Sequence, residues 1–61
     1  MAVLTVHLFT CFDNEIKEVL YTLVNERRWF QVDPMSSQRW HVTVSDDSYQ
    51  LMKDMGLVEV L

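Results

Sequence analysis

Six patterned segments follow one another along this chain, and the turns between them take up almost nothing. A β-like run, an amphipathic helix, two β-like runs, a short helix and a last β-like run account for nearly all of the 61 residues. That economy constrains the fold more than any single residue does. Two helices can cover only one side of four strands, and no residues remain to cover the other.

Residues 2–10 (AVLTVHLFT) alternate as a strand does, with Leu4, Val6 and Leu8 pointing one way and Val3, Thr5, His7 and Phe9 the other. Asp13 is placed to cap a helix, and Glu15 adds negative charge to its first turn. Ile16, Val19, Leu20, Leu23, Val24 and Arg27 recur at the spacing of one helical face. Arg27 and Arg28 close that helix where cations favour the negative end of its dipole. Residues 29–32 read as a short strand, 33–37 as a turn set by Pro34, and 39–45 as a second alternating strand with Trp40, Val42 and Val44 on one face. Ser45, Asp46 or Asp47 caps a second helix with Ser48, Leu51, Met52 and Met55 in its stripe. Gly56 stands where a left-handed C-cap belongs, and 57–61 supplies the last strand.

This order resembles the split βαβ, or ferredoxin-like, arrangement. The expected class is α+β: a minimal βαββαβ unit, with right-handed crossovers placing both helices on one face of a four-stranded antiparallel sheet. Residues 1–61 form one domain, near the lower limit of what folds without staples. Half the residues are hydrophobic (49%) and Gly and Pro occur once each, which excludes a disordered chain. The structural alternative is a βαββ core with the last turn of helix and the C-terminal strand unformed.

Composition also narrows the setting. A single cysteine, Cys11, excludes an intramolecular disulfide framework and suits a reducing, cytoplasmic compartment, the host cytoplasm for a viral protein. The opening MAVLTV lacks a basic region, so no signal peptide is expected, and no apolar run approaches ~18 residues, so no membrane association is expected. Nine Asp and Glu against five Lys and Arg give a net charge of −4, which repels phosphate backbones and anionic lipid. Arg27, Arg28 and Arg39 are the only local basic grouping the pattern allows.

Assigning faces locates the expected site. The helices should cover Leu4, Val6, Leu8, Phe30, Val32, Trp40, Val42, Val44, Val58 and Val60. The uncovered face then carries Val3, Thr5, His7, Phe9, Trp29, Gln31, Arg39, His41, Thr43, Leu57, Glu59 and Leu61. A solvated face is mostly charged and Thr-rich; this one mixes aromatic and aliphatic residues, as a docking or dimerisation surface does. On this reading Trp29→Ala or Phe9→Ala abolishes association and leaves helicity intact.

Other chemistry is thin. His7 and His41 fall on the same expected face of neighbouring strands, where two imidazoles can share a metal or change charge together. A zinc site wants three or four ligands and only Cys11 or Glu59 could complete one, so no metal is expected. Cys11 precedes a helix N-terminus, a position that lowers a thiol pKa, but with no base beside it a packed inert thiol is the expectation. No nucleophile–base–orienter set is visible, so neither catalysis nor a cofactor is expected.

The function these features favour is a small acidic intracellular protein-binding module. It would modulate or inhibit a partner protein, homodimerise through the uncovered face, or both, in the style of small viral and mobile-element proteins. The alternative is a single-stranded nucleic-acid binder that stacks bases on Phe9, Trp29 and His41.

Overall fold

The computed structural model describes residues 5–60; Val3, Leu4 and Leu61 of the expected faces lie outside them. The elements run β1 (Val6–Phe12), α1 (Asp13–Asn25), β2 (Phe30–Pro34), β3 (Arg39–Ser45), a 3-10 turn (Asp46–Ser48), α2 (Tyr49–Asp54) and β4 (Val58–Glu59). The four strands form one sheet in the order β2-β3-β1-β4, every neighbouring pair antiparallel. The protein is thus α+β, two helices against a four-stranded antiparallel sheet. β4 pairs with β1 inside the chain, so the C-terminal strand does form, over two residues.

Both helices pack on the same side. Val19 and Leu23 from α1 and Met52 from α2 meet Phe9, Cys11, Val42, Val44 and Leu57 in a single buried cluster. The α1 stripe is narrower than its spacing predicts: Val19 and Leu23 are buried, but Val24 is exposed.

Backbone chemistry sets the helix ends. Phe12, extended at φ −90° and ψ 161°, is the N-cap of α1, and Asp13 is its first helical residue and not the expected cap. The Glu15 carboxylate reaches back to accept the Phe12 N–H at 3.1 Å, and the Asp13 N–H donates to the Gln38 carbonyl at 2.8 Å. At the other end Arg27 takes φ 57°. Its N–H donates to the Val24 carbonyl at 3.0 Å and that of Arg28 to the Leu23 carbonyl at 2.8 Å. That pair of bonds is a Schellman motif. α2 ends the same way around Gly56, at φ 80°, with Gly56 N–H on Lys53 O (2.9 Å) and Leu57 N–H on Met52 O (3.2 Å). The buried Met52 and Leu57 occupy the positions whose apolar contact accompanies that motif.

The face assignment is right for β2 and β3 and inverted for β1 and β4. Directly paired residues of antiparallel strands share a face. Phe30↔Val44 and Val32↔Val42 put those four under the helices, as expected. Phe9↔Val42, His7↔Val44 and Cys11↔Trp40 put His7, Phe9 and Cys11 there too, and leave Val6 and Leu8 on the open side. Phe9↔Glu59 brings Glu59 to the helix side, and Thr10↔Val58 sends Val58 to the open side. A one-residue change of phase flips a whole strand. β1 runs two residues beyond Thr10, and its pairing with β3 decides the phase: Phe9 beside Val42 and Cys11 beside Trp40 are both fully buried.

Candidate functional site

The uncovered face survives as a feature, with a corrected membership. Across the sheet its rows read Gln31, Thr43 and Leu8, then Asp33, His41 and Thr10, then Arg39 and Phe12. Val58 lies beside Thr10, and Val60, whose N–H donates to the Leu8 carbonyl at 2.7 Å, continues that register. Val6 and Ser45 complete the face at the far end of β1.

The face divides lengthwise. The β1 and β4 half presents Val6, Leu8, Phe12, Val58 and Val60, with Val6 46%, Phe12 47% and Val58 69% exposed. The β3 and β2 half presents Ser45, Thr43, His41, Arg39, Gln31 and Asp33. The Arg39 guanidinium lies over the Phe12 ring, 5.6 Å from its centroid, and joins the halves at one end. A groove beside that contact is walled by Phe12, Arg39, Leu57 and Val58.

Of the residues the sequence placed on this face, Gln31, Arg39, His41 and Thr43 are there. Thr5 is exposed just before β1, and Trp29, half-exposed, sits in the connection that precedes β2. Phe9 and Leu57 are core residues. His7 and Glu59 lie on the helix side. The sequence reading missed Val6, Leu8, Thr10, Phe12, Asp33, Val58 and Val60; full strand length and pairing to the well-patterned β3 were the signals that locate the β1 members.

His7 and His41 therefore never meet, because they stand on opposite sides of the sheet. A metal shared by the two imidazoles loses its geometry. Among the described residues no group of three or more His, Cys, Asp or Glu is arranged to hold an ion. His7 instead lies between two carboxylates, Nε2 2.8 Å from Asp46 Oδ1 and Nδ1 3.1 Å from Glu59 Oε2. Its ring rests on Tyr49 at a centroid distance of 4.6 Å. The bonds to Asp46 and Glu59 hold its pKa above the ordinary histidine value, against a smaller opposing effect of burial.

Cys11 is fully buried, and burial together with the nearby Glu15 charge pushes its thiol up to about 11. The helix N-terminus beside it does not activate it. No helix among the described residues is long and apolar enough to cross a membrane. No family model, curated protein or solved structure matches the chain.

Proposed function

We propose that this chain is a small protein-binding module that works through the open face of its sheet, occupying and so modulating a partner protein. The observation that carries the reading is the apolar strip of Val6, Leu8, Phe12, Val58 and Val60, which no element among the described residues covers. Hiding ~200 Å² of such surface contributes roughly 5 kcal/mol at ~25 cal/mol per Å², before the cost of association. The polar half, with Gln31, Asp33, Arg39 and His41, supplies the directional groups that an interface rim uses.

The groups best suited to chemistry favour binding over catalysis. Both ring nitrogens of His7 are engaged by carboxylates, and the Cys11 thiol is buried and protonated. The nucleic-acid alternative loses one of its three stacking candidates, since Phe9 is in the core, and the net charge of −4 opposes it. The finer fold reading is ferredoxin-like, supported by the order β2-β3-β1-β4 and by both helices covering one side. That fold hosts many unrelated functions, so the function is argued from the face and not from the fold.

The test is affinity capture from the native cell extract with four baits. Wild type and Val24→Glu, which charges an exposed position on α1, should retain the same protein; Val58→Glu and Phe12→Ser should lose it. Equal retention by all four baits would sink the open-face reading.

A further inference from the structure

We propose that the occupant of the open face is a second copy of this chain, packed sheet to sheet about a two-fold axis. The axis lies in the face and runs across the strands, between the rows of Leu8 and Thr10. This inference rests on the interaction-face reading above and names its partner.

The lengthwise division of the face selects that axis. A two-fold axis across the strands returns every strand onto its own counterpart, so the apolar β1 and β4 half covers the apolar half of the second copy. Val6 then meets Phe12 of the second copy, and Val58 meets Val60 of the second copy. The outward residues of β1 allow this because they are apolar at both ends: Val6 and Leu8 at one, Phe12 at the other. On the polar half, Asp33 meets Gln31 of the second copy, and no like charges oppose one another. A two-fold axis along the strands does the reverse. It lays β2 over β4, sets Asp33 on Val58 and Gln31 on Val60, and strips water from a carboxylate with nothing to bond it.

The area sets the strength. Strands ~4.8 Å apart and a span of seven residues at ~3.4 Å each give a face of roughly 19 by 24 Å, on the order of 450 Å² per copy before relief is counted. A standard stable interface removes about 800 Å² per partner. The pairing is therefore reversible and concentration-dependent, with each copy a folded monomer on its own.

Sedimentation equilibrium on the full chain, from ~10 μM to ~1 mM, spans the range in which so small an interface exchanges. The expected weight-average mass climbs from 7.3 kDa toward twice that value, and Val58→Glu stays at the monomer mass. Orientation is read by cross-linking: a mixture of Val6→Cys and Phe12→Cys should give disulfide-linked dimers under mild oxidation, and either variant alone should not. A mass fixed at 7.3 kDa at the highest concentration overturns self-pairing. So does a dimer indifferent to Val58→Glu, or equal cross-linking by each variant alone. A monomeric chain that still captures a protein in an open-face-dependent way overturns self-pairing only, and leaves the interaction-face reading standing.

Discussion

The imidazole of His7 lies 3.1 Å from the carboxylate of Glu59, and that contact ties β1 to the two-residue β4 that closes the sheet. Asp46 takes the other ring nitrogen at 2.8 Å, so one side chain bridges the edge strand and the turn that opens α2. Both carboxylates are acceptors, and a neutral imidazole has only one N–H to give. The two bonds form together only on the imidazolium.

Stability should therefore depend on the charge of His7. The pKa is raised in the folded state, so the stabilisation is fully present below the unfolded value of 6.5 and is lost as pH rises through the higher folded value. The groups around the ring are Asp46, Glu59 and the Tyr49 ring, with Lys53 Nζ 6.0 Å from the centroid of that tyrosine. The expected result is a wild-type Tm that falls as pH rises above 6.5. His7→Gln should lack that pH-dependent component. Parallel melting curves for the two proteins would dismiss the clamp.

The two Schellman ends make opposite predictions at equivalent positions. Arg27 holds φ 57° with a side chain that resists it, and Gly56 holds φ 80° without one. Arg27→Gly should stabilise by about 0.5–1 kcal/mol, since left-handed backbone strains an L-residue by more than glycine loses in entropy. Gly56→Ala should destabilise by ~1 kcal/mol or more. An added Cβ there would find no heavy atom within 4 Å, so the loss reports backbone strain alone. Thermal melts resolve both, because 1 kcal/mol moves Tm by about 4–8 °C in so small a domain.

What the sequence made legible follows from how local each signal is. The bounds of β3, the α1 stripe through Val19 and Leu23, and the Gly56 cap are each written in a few neighbouring residues, and each is found. The phase of β1 is a different kind of fact. Both of its alternating sets contain apolar residues, and pairing with β3, distant in sequence, decides between them. Leu57 misled the reading of β4 because it belongs to the helix cap, packed as Met52 is in the core, and is not the first residue of the strand. That the helices cover only one face of the described sheet was legible from the count of elements; the polar members of the other face on β2 and β3 were legible too. Its apolar strip was not, nor was the clamp on His7, whose partners lie 39 and 52 residues away.

Ser48 offers a test of polar satisfaction. Its hydroxyl is buried with no hydrogen-bond partner, and although the residue precedes α2 it makes no side-chain capping bond. The usual loss on removing an N-cap serine therefore does not apply. Ser48→Ala should be neutral or stabilising by up to about 1 kcal/mol, because a desolvated hydroxyl is removed and little else changes. A urea titration showing a loss beyond about 1 kcal/mol would mean that the hydroxyl has a partner in solution.

The final prediction separates the core from the open face. Phe9 is fully buried between the sheet and the helices, its ring 5.8 Å from that of Tyr49, whereas Val58 is mostly exposed. Phe9→Ala removes a buried aromatic at a cost of about 3–5 kcal/mol. A chain of this length has roughly 3–9 kcal/mol of stability in total. Phe9→Ala should therefore lose most of its helical circular dichroism at 25 °C, which the surface assignment drawn from the sequence does not predict. Val58→Glu should keep the full signal, since its side chain stays in water. Retained helicity and near-wild-type melting in Phe9→Ala would contradict the β1 register, because no arrangement with Phe9 paired to Val42 under the helices survives that cavity unharmed.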